Sequence, residues 1–129
     1  MTINQCIEQR VQRGVKLLDE YDPDWFKQIN LEKLDLSNCH ECLLGQLFKS
    51  FGHGVDIFFK EVEDSVEYPM YNGEYRESVE HGFAGYVRDA CDVPLMRYYQ
   101  YLTDAWKQVI IERQVNIQHA EIEELELVS

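Results

Sequence analysis

Residues 2–20 read TINQCIEQRVQRGVKLLDE, and this stretch decides the fold class. Ile3, Ile7, Val11, Val15 and Leu18 recur every three or four residues, the spacing of one helical face. A half-buried strand would alternate every second residue instead. Arg10, Arg13 and Lys16 fall off the stripe, so the segment is an amphipathic helix that needs a partner surface. Gly14 lies inside it and costs about 1 kcal/mol of helix propensity relative to Ala. Asp22-Pro23-Asp24 ends this helix and opens another. Asp22 suits a cap and Pro23 a first helical position, with Trp25, Phe26 and Ile29 as the apolar side of a short helix.

Further along, residues 30–36 form a connector with buried leucines. Ser37 or Asn38 then caps a second strong helix over 37–51, with Glu41 in the turn where a carboxylate is favoured. Cys39, Cys42, Leu43, Leu44, Leu47 and Phe48 supply its apolar positions, and Gly52-His53-Gly54 is its stop. A third helix begins at Pro94 or at Thr103 and runs to about 115, carrying Trp106, Val109 and Ile110. Residues 55–80 read as an acidic surface insertion, and 116–129 as an acidic tail that extends the helix or adds an edge strand. The expected fold is mainly α: one compact helical domain over 1–129 with minor β structure, α+β being the second choice.

The chain has 129 residues, 45% hydrophobic and 12% aromatic, enough for one core without disulfides or metal. Twenty-four acids face twelve bases, a net charge of −12. The excess is uneven: residues 1–60 carry −2 and residues 61–129 carry −10. Direct nucleic-acid binding is excluded on this balance, because it needs Lys and Arg to displace counterions. An anionic membrane surface is disfavoured likewise. No stretch approaches the ~18 apolar residues of a membrane span, and Met1 to Gln5 lead straight into the amphipathic pattern without a signal peptide. The expected location is cytoplasmic, with Cys6, Cys39, Cys42 and Cys91 as thiols.

Cys39-His40-Glu41-Cys42 is the one motif with possible chemistry. Two thiolates three apart can grip a metal, with His81, His53 and Cys91 available to complete the four ligands zinc usually takes. A redox dithiol also fits the spacing, and so do two small buried residues packing a helix. His53 and His81 have no nucleophile or carboxylate at motif spacing, so no catalytic residue is assigned. Tyr98, Tyr99 and Tyr101 with Trp106 either pack against the first helix or line a ligand site.

One set of residues is similar to a group of small uncharacterised proteins of phages and prophage-bearing Gram-positive bacteria. The resemblance runs through Gly14 to Asp19, Trp25, Ile29, Leu31, Leu34-Asp35-Leu36, Cys39, Cys42 and Leu44-Gly45-Gln46-Leu47. It returns at His81-Gly82-Phe83 and Leu102-Thr103-Asp104-Ala105-Trp106. It implies a setting, an accessory protein of a mobile element, and transfers no catalytic residue.

The expected function is therefore non-enzymatic: an acidic protein that occupies a basic surface on a host protein. The concrete form is an inhibitor of a nucleic-acid-handling or defence complex, for example an anti-CRISPR protein. The candidate partner-binding residues are Glu61, Glu63, Asp64, Glu67, Glu74, Glu77, Glu80, Glu121, Glu123 and Glu124. The alternatives are a small zinc or thiol protein, with Cys39, Cys42, His81 and Cys91 as ligands, and a small-molecule binder. The first reading needs no cofactor; the zinc reading does.

Overall fold

The computed structural model describes residues 2–60, 73–85 and 94–128, as backbone alone for 73–75, 119 and 121–128. Helix α1 spans Ile3–Tyr21. A reciprocal capping box starts it: the Gln5 N–H donates to Thr2 Oγ1 at 3.2 Å, and the Thr2 N–H donates to Gln5 Oε1 at 2.9 Å. Asp22 ends it in an extended conformation. The expected short helix after Pro23 is a single 3₁₀ turn, Trp25–Gln28, with both aromatics buried.

Next come α2 (Leu43–Phe48), α3 (Phe51–Phe59), α4 (Gly73–Glu80) and α5 (Leu95–Val128). No strand occurs among the described residues, so the fold is mainly α and the minor β structure has no place in them. α5 has 34 residues, a length of about 51 Å at 1.5 Å per residue. It begins directly after Pro94, whose carbonyl accepts the Tyr98 N–H at 3.0 Å. Thr103 is not its cap. It is buried mid-helix, where Thr103 Oγ1 accepts the Leu36 N–H at 3.0 Å and satisfies a buried donor in the connector. The helix also continues through the acidic segment to Val128, in place of an edge strand.

The single helix expected over 37–51 is instead two short helices. Asn38 does cap, but only a turn: its Oδ1 accepts the His40 and Glu41 N–H groups. Cys42 is the residue that caps α2, its Sγ accepting the Gly45 N–H at 3.3 Å. The chain then breaks at Lys49, which has φ 79°, and Ser50 caps α3. Gly52-His53-Gly54 therefore opens a helix where a stop was expected. Gly54 permits close packing of the two helices, since a Cβ there would meet Leu44 Cβ at 2.7 Å.

The core joins these elements. Ile7, Val11, Val15 and Leu18 of α1 lie buried in one cluster with Tyr98, Leu102, Trp106 and Ile110 of α5. Arg10 meets Tyr98 and Asp19 meets Arg113, so the two helices run in the same general sense. Trp106 sits at the centre. Its ring meets Trp25 edge-on at 5.8 Å and stacks on Phe83 at 5.7 Å, and its Nε1–H donates to the Gly82 carbonyl at 2.6 Å. Of the span read as a surface insertion, both described ends belong to the core: Val55 and Phe59 on α3 are buried, as are Ser78 and Val79 on α4. Residues 61–72, which hold its densest acidic run, lie outside the described residues.

Candidate partner-binding surface

The expected acidic site divides into three groups. Glu61, Glu63, Asp64 and Glu67 lie outside the described residues. On α4, Glu74 is described as backbone only, while Glu80 faces Arg13 and Glu77 lies beside the His81 ring. Glu80 pairs with Arg13 of α1 at 3.2 Å, and Glu77 lies 3.8 Å from His81 Nδ1. These two carboxylates tie α4 and its following turn to the fold. Glu121, Glu123 and Glu124 lie on the final turns of α5, joined there by Glu126.

What positions those final turns is an ion pair further back. Arg113 donates to both carboxylate oxygens of Asp19, at 2.5 and 2.7 Å. The Trp25 Nε1–H donates to the same Asp19 at 2.9 Å. The Arg113 hydrogen bonds hold the Asp19 carboxyl below its usual pKa, against the opposing effect of burial, with Trp25 assisting. Arg113 is raised in turn, chiefly by Asp19. Its guanidinium also lies 5.9 Å from the Trp25 ring centre and 5.8 Å from that of Phe26. α1 ends two residues after Asp19, whereas α5 continues fifteen residues past Arg113. Ile117 is the last described side chain of α5 that packs on the core. Gln118 and Ala120 are exposed.

Sequence reading missed a second feature. α1 and α5 leave between them a groove of about 590 Å³ whose floor includes Val11, Ala105 and Val109. Glu8, Gln12, Gln108 and Glu112 stand on its rim with Arg13. Further along α5, Ile111 is 44% exposed and Val115 42%. Ile111, Val115, Ile122 and Leu125 repeat at helical spacing as a separate stripe, on a face of α5 other than that of Ala105 and Val109. That stripe was hidden because Ile110 and Ile117, the core face, interleave with it.

Within the cysteine motif, Cys42 has a structural part. Cys42 is buried and capping α2, and burial pushes its thiol pKa up, the opposite of an activated thiolate. Cys39 is exposed. Both line a cavity of about 90 Å³ with Phe51, Phe83 and Tyr99, and His81 is not among its lining residues. Among the described residues no three His, Cys, Asp or Glu side chains converge as a metal needs; Cys91 lies outside them. His81 Nδ1–H donates to the Glu77 carbonyl at 2.7 Å, and its ring packs near Phe59 and Phe83. His53 is exposed in the first turn of α3. Tyr98 and Trp106 are core residues, and the Tyr99 hydroxyl accepts the Gly85 N–H at 2.9 Å; Tyr101 is exposed.

No family model matches the chain, and no curated protein or solved structure matches it. No helix among the described residues is long and apolar enough to cross a membrane.

Proposed function

We propose that this chain is a non-enzymatic acidic binding protein, which occupies a cationic surface of a partner protein with carboxylates in the places of phosphates. The observation that carries this reading is the end of α5. The helix continues to Val128 with Glu121, Glu123, Glu124 and Glu126, and no base follows Arg113. Like charges at helical spacing repel, and the negative end of the helix macrodipole adds to that repulsion. A cationic partner relieves both. Glu61, Glu63, Asp64 and Glu67 join the reading on charge alone, while Glu80 is paired with Arg13. In the phage setting that the sequence resemblance implies, the partner is a cytoplasmic nucleic-acid-handling or defence complex, such as a CRISPR effector.

Capture from a nuclease-treated bacterial lysate tests this. The immobilised protein should retain basic polypeptides, release them to heparin, and lose them steeply as salt rises, because exposed charges are screened over ~8–10 Å near physiological ionic strength. Replacing Glu121, Glu123, Glu124 and Glu126 with Gln should reduce retention about tenfold. Retention unchanged by heparin and by the four substitutions would reject the reading.

A further inference from the structure

Resting on that acidic-surface reading, we propose that the partner element is a basic amphipathic helix, seated along the α1–α5 groove. The groove has the form for such an occupant. Two neighbouring helices leave a trough into which a third can lay its apolar face, read as anchors at i, i+3, i+4 and i+7. Its floor includes Val11, Ala105 and Val109 and its volume is about 590 Å³. Ile111 and Val115, 44% and 42% exposed, belong to another face of α5, since Val109 and Ile111 lie about 160° apart around the helix.

Charge decides the occupant. The rim carboxylates are Glu8 and Glu112. Among the described residues the rim cation is Arg13, held by Glu80 at 3.2 Å. Gln108 Nε2–H donates to Glu112 at 3.0 Å and leaves its charge in place. Four more glutamates follow on α5 with no base among them. A second copy would bring a net charge of −12 to the same surface, and like charges set face to face oppose association. An anionic lipid surface is repelled for the same reason. A helix with lysines or arginines flanking a leucine-rich face satisfies both the trough and its rim.

The test uses the full chain and three fluorescein-labelled peptides of about 21 residues, long enough to form a helix on binding. One is a Leu/Lys sequence with a single apolar helical face. The second has the same composition scrambled so that no face is apolar. The third is the Leu/Glu counterpart of the first. Anisotropy near physiological ionic strength should show the first bound about tenfold more tightly than the second, and the third not bound. The double variant Glu8→Lys, Glu112→Lys alters only exposed rim positions and should weaken the first peptide about tenfold; unchanged binding overturns the proposal. Equal binding of the first two peptides overturns this proposal and leaves the acidic-surface reading standing. Binding of the Leu/Glu peptide as tight as the Leu/Lys one overturns both. A peptide-free dimer by sedimentation that the Leu/Lys peptide dissociates assigns the groove to a second copy and also overturns it.

Discussion

At Gly14 the helix-propensity rule and the packing give opposite predictions. An added methyl should favour an isolated α1 by about 1 kcal/mol. In the folded protein a Cβ at this position meets the Trp106 ring at 2.8 Å and the His81 carbonyl oxygen. Gly14→Ala should therefore destabilise by roughly 1–3 kcal/mol, the range for overpacking a core. Gly52, whose added Cβ meets nothing within 4 Å, is the control: Gly52→Ala should stabilise by about 0.5–1 kcal/mol. Urea midpoints of the two variants, moving in opposite directions, check both. Asp19 gives a second residue-scale prediction. Its pKa is depressed in the folded state, first by the Arg113 hydrogen bonds. Its contribution is therefore present above the unfolded value near ~3.9 and fades as pH falls through the lower folded value. Asp19→Asn keeps an acceptor for Trp25 and loses the charge pairing with Arg113. It should cost roughly 1 kcal/mol near neutral pH, allowing for solvent screening of a part-exposed pair. That difference should shrink as pH falls from about 4 through the lower folded value, as read from urea midpoints across the acid range.

At the scale of elements, the break between α2 and α3 rests on Lys49 at φ 79° and ψ −35°, a region L side chains rarely adopt. The Lys49 carbonyl accepts the His40 Nδ1–H at 3.1 Å, and the Cys39 carbonyl accepts the Phe51 N–H at 2.8 Å. These bonds pin the turn, so Lys49→Gly should relieve strain and raise stability by about 1 kcal/mol, measured as a higher thermal midpoint. The same turn shows where sequence reading stops. α1 was legible because its stripe, its length and Asp22 are all local signals. The α2–α3 break was not, because a cysteine is outside the usual caps and Ser50 is concealed in an apolar run. Gly52 and Gly54 looked like a stop, while Gly54 is there for the approach of Leu44. Thr103 misled for a related reason: its hydroxyl serves a backbone group 67 residues away, which no local pattern records.

Over the whole molecule, the acidic bias read from composition and the long α5 read from coordinates bear on the same end of the chain. Composition placed −10 in residues 61–129 but could not say which carboxylates the fold itself engages. Glu80 lies in an ion pair with Arg13 and Glu77 sits beside His81, because α4 packs back against α1. The carboxylates after Arg113 extend beyond α1, which ends at Tyr21. The groove beside them was illegible for a further reason: its two sides, residues 8–13 and 105–112, are distant in sequence, and no single stretch contains it. The account therefore rests on α5 meeting a cationic partner along its groove-lining and acidic length. Amide chemical shifts of ¹⁵N-labelled protein, followed while the Leu/Lys amphipathic peptide is added, test this most directly. The account predicts the largest shifts in residues 8–13 and 105–128. Shifts confined to the 32–41 loop and the α2–α3 turn, with α5 silent, would contradict it.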